Sequence, residues 1–161
     1  DHAGYKWWKH ADPDMEQIQL EVVDIWHFGM SAMICRCDSL DGLAAQIAKD
    51  LSATPRESSL LEATEILAES CITTQSFSTS AFLGLMAASD LSFEQLYRMY
   101  VGKNVLNFFR QDHGYKDGSY IKIWAGREDN EHLSDLLVRL DPNQTDFADA
   151  VYRGLAEAYP G

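Results

Sequence analysis

Between a few short breaks, the apolar residues of this chain recur at steps of three and four. No stretch alternates with a period of two, so helices and not sheets must bury its hydrophobic surface. The clearest stripe lies between Asp14 and Met33, where Ile18, Val22, Ile25, Trp26 and Met30 share one helical face. Asp12 before Pro13 reads as its N-cap, with proline at the first helical position. Further helices are predicted over Ser39–Leu51, Ser58–Ile72 and Thr79–Ser89. A long one is predicted from Ser92–Glu94 through Phe109, with Phe93, Leu96, Tyr97, Tyr100 and Val101 on one face. Gly114 and Gly118 bracket a loop, Tyr115–Ile123 reads as extended or irregular, and Gly126 begins a turn. Glu128–Val138 and Thr145–Ala158 close the chain. The fold class expected is all-α, a helical bundle, over one domain spanning residues 1–161.

Charge narrows the function. The chain of 161 residues carries 25 acidic and 13 basic side chains, a formal net charge of −12. Such a surface repels bare phosphate backbones, which argues against a nucleic acid polymer as partner. A small anionic ligand stays open if metal ions neutralise its site. No apolar run approaches the length of about 18 residues that a membrane span needs. Cys35, Cys37 and Cys71 are odd in number and sparse. They make neither a disulfide framework nor a zinc signature, and they predict a reducing, cytoplasmic setting.

Three clusters carry chemistry. Glu21 and Asp24 sit three residues apart on the first helix, so their carboxylates project from neighbouring positions. An acidic pair of this spacing commonly just faces water. Here apolar residues flank both members, and carboxylates in such company need a positive partner. Two oxygen donors make half of a Mg²⁺ site. Asp24-x-x-His27 also has di-iron spacing, but its second copy would be Asp129-x-x-His132, in a segment too polar for a bundle core. His27 therefore reads as a buried or cleft-lining histidine.

The second cluster is the run from Lys103 to Lys116. Lys103, Asn104, Asn107 and Arg110 can share a helical face. The cations suit a polyphosphate and the amides suit the edge of a nucleobase. A solvated polar face is the alternative. The third cluster is Tyr5-Lys6-Trp7-Trp8-Lys9-His10. One tryptophan there can stack on a base with Lys6 or Lys9 near a phosphate, or it can anchor the chain or a dimer contact.

In their order along the chain, the clusters resemble the dimeric, all-α dUTPase family, part of the all-α nucleoside triphosphate pyrophosphohydrolases. The resemblance is carried by Tyr5-Lys6-Trp7-Trp8-Lys9, by Glu21-Val22-Val23-Asp24-Ile25-Trp26-His27-Phe28, and by Tyr100-Val101-Gly102-Lys103-Asn104 through Phe109-Arg110-Gln111-Asp112-His113-Gly114-Tyr115-Lys116. Gly118 to Lys122 and Gly126-Arg127-Glu128-Asp129-Asn130 continue it. It implies hydrolysis of dUTP, and of dUDP, to dUMP by a homodimer using Mg²⁺. It also implies that Glu21 and Asp24 are metal ligands in the catalytic site. Lys6, Trp7, His27, Lys103, Asn104, Asn107, Arg110, Tyr115 and Lys116 would then belong to the nucleotide site. In the family a helix with an E-x-x-E motif lies ahead of the segment matching Asp1–Trp8. The chain is therefore read as N-terminally incomplete. Glu62-x-x-Glu65 has that spacing but stands in the wrong order, and reads as a solvent-facing pair, with a metal pair as the alternative. The other readings are a pyrophosphohydrolase for a different nucleotide and a non-catalytic helical module.

Overall fold

A computed structural model describes residues 15–161. Among the described residues there are seven helices and one two-stranded hairpin, so the chain is all-α. None of these helices is long and apolar enough to cross a membrane. The chain divides into two compact units, Asp1–Ser92 and Phe93–Gly161.

In the first unit, the described residues form α1 (Met15–Ile34), α2 (Leu40–Leu51), α3 (Leu60–Thr74) and α4 (Thr79–Ala88). Short polar residues start three of them. Ser39 Oγ accepts from the Gly42 amide, Ser78 Oγ from the Ala81 amide, and Ser59 with Glu62 makes a reciprocal capping box. α4 lies at the centre, packed by α1, α2 and α3.

The buried stripe of α1 is Ile18, Val22, Val23, Trp26 and Gly29. Ile25 and Met30, expected within it, are half-buried. Gly29 lies in the stripe as well: a Cβ at that position would stand 2.6 Å from the Phe77 ring, so glycine is what admits the ring. Phe77, Trp26 and Phe82 then form an aromatic cluster, with Trp26 stacked on Phe82 at 5.0 Å between ring centres. Periodicity read from large apolar residues does not register such a glycine.

The second unit holds α5 (Phe93–Asp112), β1 (Ile123–Trp124), β2 (Arg127–Glu128), α6 (Asp129–Arg139) and α7 (Phe147–Ala158). α5 packs on both α6 and α7. Its buried residues are Leu96, Gly102, Val105, Leu106 and Phe109. Phe93 and Tyr97, expected on the core face, are exposed. Gly102 again decides the packing, because a Cβ there would meet Leu137 at 2.7 Å. Tyr97 instead stacks on Phe147 at 6.2 Å.

The hairpin was not expected from periodicity, since each strand has only two residues. Its turn, Ala125-Gly126, takes positive φ at both positions (48° and 83°). That is the mirror-image turn that matches the twist of a two-residue hairpin. Trp124 is thereby placed in the core beside Phe109, at 5.9 Å between ring centres. Its indole Nε1 donates to the Ile121 carbonyl at 2.6 Å.

Candidate active site

The acidic pair expected to hold a metal lies on α1 in the first unit. Glu21 is exposed, and its Oε1 accepts from Gln17 Nε2 at 3.2 Å. Asp24 is half-buried, as is His27 one turn further on. Val22 and Val23 between the carboxylates are buried, so the apolar flanks noted in the sequence belong to the core and the acids stand at its edge.

Four residues beyond Glu21 and Asp24 come Ile25 and Phe28, which line a cavity of about 810 Å³. Residues at that separation are neighbours on one helical face. The acidic pair therefore stands at one end of a stripe whose other end walls a cavity of nucleotide size. α2 and α3 supply the facing wall, with Leu43, Ile47, Leu67 and Cys71 among its side chains. Asp50 also lines it, where its carboxylate accepts from Gln46 at 2.8 Å and from the Thr79 hydroxyl. All three cysteines are free thiols.

Glu21 and Asp24 supply hard carboxylate oxygens. Among the described residues no group of three or more His, Cys, Asp or Glu is placed to hold a metal ion. A pair fits Mg²⁺, which is held by one or two carboxylates and takes waters and substrate phosphates as its other ligands. Glu62 does not compete for such a role. Its carboxylate accepts from the Ser59 amide and hydroxyl, both at 2.9 Å. Those bonds hold it below the usual carboxylate range.

The cationic run lies on α5 and the following turn, in the second unit. Lys103 and Asn104 are half-buried, Asn107 is exposed, and all share with Arg110 the side of α5 away from Phe109. Tyr115 and Lys116 are exposed in the turn. That turn depends on Gly114 (φ 86°), where a Cβ would strike Ser119 Oγ at 1.9 Å. Lys6 and Trp7 lie outside the described residues, as do Asp12 and Pro13.

Arg110 is held from behind. Its Nε donates to Asp129 Oδ2 at 2.7 Å and its Nη2 to Oδ1 at 2.8 Å. The Tyr120 hydroxyl and the Asn130 amide also donate to this carboxylate, at 2.9 and 2.8 Å. Asp129 is fully buried, whereas the segment around it was expected to be too polar for the core. Burial pushes its carboxyl upward, but the bonds from Arg110 and Tyr120 and the guanidinium charge outweigh that and hold it below the usual range. The bond to Asp129 in turn raises Arg110 above its ordinary value. Burial, then Asp129, pushes the Tyr120 phenol well up, so it stays a donor at neutral pH. His132, the other member of the di-iron spacing, stacks on Trp124 at 5.2 Å, and its Nε2 donates to the Trp124 carbonyl at 2.9 Å.

Reading from sequence gave no role to Asp129, Tyr120 or Asn130 and did not foresee the cavity. The signal for the first was the Gly126-Arg127-Glu128-Asp129-Asn130 segment, where an acid stands beyond a hairpin turn from a basic helix. The cavity had no local signal, since it is made by packing. A family model described as dUTPase matches residues 1–115, which include the acidic pair and most of the cationic run. No curated protein matches the chain significantly.

Proposed function

Because the chain belongs to the dUTPase family, we propose that it is a Mg²⁺-dependent pyrophosphohydrolase converting dUTP, and dUDP, to dUMP. The observation that carries this reading is the acidic pair on α1, set one turn from a cavity of about 810 Å³. Glu21 and Asp24 are the proposed metal ligands. Mg²⁺, when bound, supplies neutralisation of the phosphate charge and acidifies an attacking water.

The chain's own groups do the rest. Lys103, Arg110 and Lys116 offset charge on the phosphates, where positioning and electrostatic stabilisation make up most of the catalysis of phosphoryl transfer. Asn104 and Asn107 offer both donor and acceptor to uracil or deoxyribose. Tyr115, His27, Lys6 and Trp7 complete the proposed nucleotide contacts. Excluding a thymine methyl by shape alone is worth only about 1–3 kcal/mol, so hydrogen bonds to the base supply the remaining selectivity.

The proposed assembly is a homodimer. Phe28, Leu61 and Ile72 in the first unit are large, apolar and exposed. Surface of that kind is what an obligate dimer covers. The reaction is tested by pyrophosphate release from a panel of deoxynucleoside triphosphates with Mg²⁺. Release from dUTP and from no other member is the expected result. Release from another nucleotide would assign a different substrate, and no release from any would leave a non-catalytic binding module.

A further inference from the structure

We infer that Asp129 is a positioning residue: it fixes the Arg110 guanidinium in one pose and leaves the Nη1 edge to receive a phosphate oxygen. The inference rests on the nucleotide site proposed above. Asp129, Tyr120 and Asn130 all lie beyond the residues that the family model matches.

The Asp129 carboxylate has no exposed surface and accepts four hydrogen bonds of 2.7 to 2.9 Å. A bidentate fork of this kind fixes both the plane and the direction of a guanidinium. The outer contacts of Arg110 are longer. Nη1 reaches Asn107 Oδ1 at 3.4 Å and Nη2 reaches Asn130 Oδ1 at 3.3 Å. Asn107 and Asn130 are exposed and the Arg110 side chain keeps 19% of its surface, so a phosphate oxygen can replace the amides without breaking the fork.

The pair with Asp129 cancels the Arg110 charge at long range. Arg110 then offsets phosphate charge only at contact range and in a fixed direction, and Lys103 and Lys116 supply the net positive charge. An unrestrained arginine surrenders rotamer freedom when it is immobilised. Here folding has already met that cost. A purely structural pair, in which Arg110 serves only as counter-ion to a buried carboxylate, would give no such advantage in phosphate binding.

The two roles separate in a double-mutant cycle on the full-length protein. The variants are Arg110→Ala, Asp129→Asn and the two combined. Inorganic tripolyphosphate affinity is measured by calorimetry, and KM and kcat for dUTP with Mg²⁺ are measured alongside. Asp129→Asn is expected to weaken tripolyphosphate binding and raise KM about tenfold. The combined variant is expected to be no weaker than Arg110→Ala alone, because Asp129 acts through Arg110.

Tyr120→Phe removes one bond from Asp129 and keeps the ion pair. It is expected to weaken binding about threefold, and to have no effect when Arg110 is already alanine. This variant decides the matter should Asp129→Asn fail to fold. Losses that multiply in the combined variant, parental affinity in Asp129→Asn, or a parent that binds no tripolyphosphate would each overturn the inference. A parent that binds tripolyphosphate but does not hydrolyse dUTP would defeat the proposed reaction and leave the cycle decisive for Asp129.

Discussion

Replacing Glu21 or Asp24 by alanine is expected to abolish Mg²⁺-dependent dUTP hydrolysis while leaving helical circular dichroism and thermal stability close to those of the parent. Glu21 is exposed and Asp24 half-buried, and neither belongs to the buried stripe of α1. Substitutions at such positions usually change stability by only about 0.5 kcal/mol. Their effect on the reaction is of another order. Losing a ligand to a metal ion that neutralises transferring phosphates removes several kcal/mol of transition-state stabilisation, which corresponds to about a thousandfold or more in rate. Glu21→Gln and Asp24→Asn keep the shape and lose the charge, so they are expected to fail equally. Steady-state rates across a Mg²⁺ titration check the prediction. A variant with near-parental turnover would remove the ligand assignment.

The largest expected effect on stability comes from Phe109→Ala. Phe109 is fully buried in the second unit, on the face of α5 opposite the polar run. Its ring meets His113 at 3.9 Å, Tyr152 at 5.2 Å, Tyr159 at 5.3 Å and Trp124 at 5.9 Å between ring centres. These partners come from the turn after α5, the hairpin, α7 and the residue that caps α7. No single neighbour can move to fill the space. Truncation is expected to cost about 3–5 kcal/mol, from lost transfer energy and the cavity left behind. Domains of this kind have total stabilities of about 5–15 kcal/mol, so this variant should unfold at much lower denaturant. Urea denaturation checks it, and a loss below about 1 kcal/mol would mean that the surrounding rings collapse onto the site.

The helices were legible because their signals are local. The expected starts of α2, α3 and α4 agree with the structure within two residues, where serine caps and a capping box begin them. The faces were less legible. Gly29 and Gly102 carry no hydrophobic weight, yet each is buried because a neighbouring side chain occupies the space of its missing Cβ. Each takes a place on the buried face, while Ile25 and Met30 of α1 are half-buried and Phe93 and Tyr97 of α5 are exposed.

The candidate site divides in the same way. The acidic spacing and the lysine–asparagine–arginine run can be read from short stretches of chain. The partner of Arg110 cannot, since Asp129 is 19 residues away and its burial depends on the hairpin that turns the chain back. A buried acid in a polar stretch of sequence looks solvated until the base that pairs with it is known.

In the proposed reaction, carboxylates of α1 and donors of α5 act on one nucleotide, from one subunit or from two. A crystal structure of the protein with Mg²⁺ and a non-hydrolysable α,β-imido analogue of dUTP tests it most directly. Mg²⁺ is expected at about 2.0–2.1 Å from the Glu21 and Asp24 carboxylate oxygens, the distance normal for this ion. Phosphate oxygens of the same analogue are expected to be bonded to Lys103, Arg110 or Lys116, from the same subunit or its partner. Metal bound away from Glu21 and Asp24, or an analogue whose phosphates touch none of those three side chains, would contradict the proposed reaction.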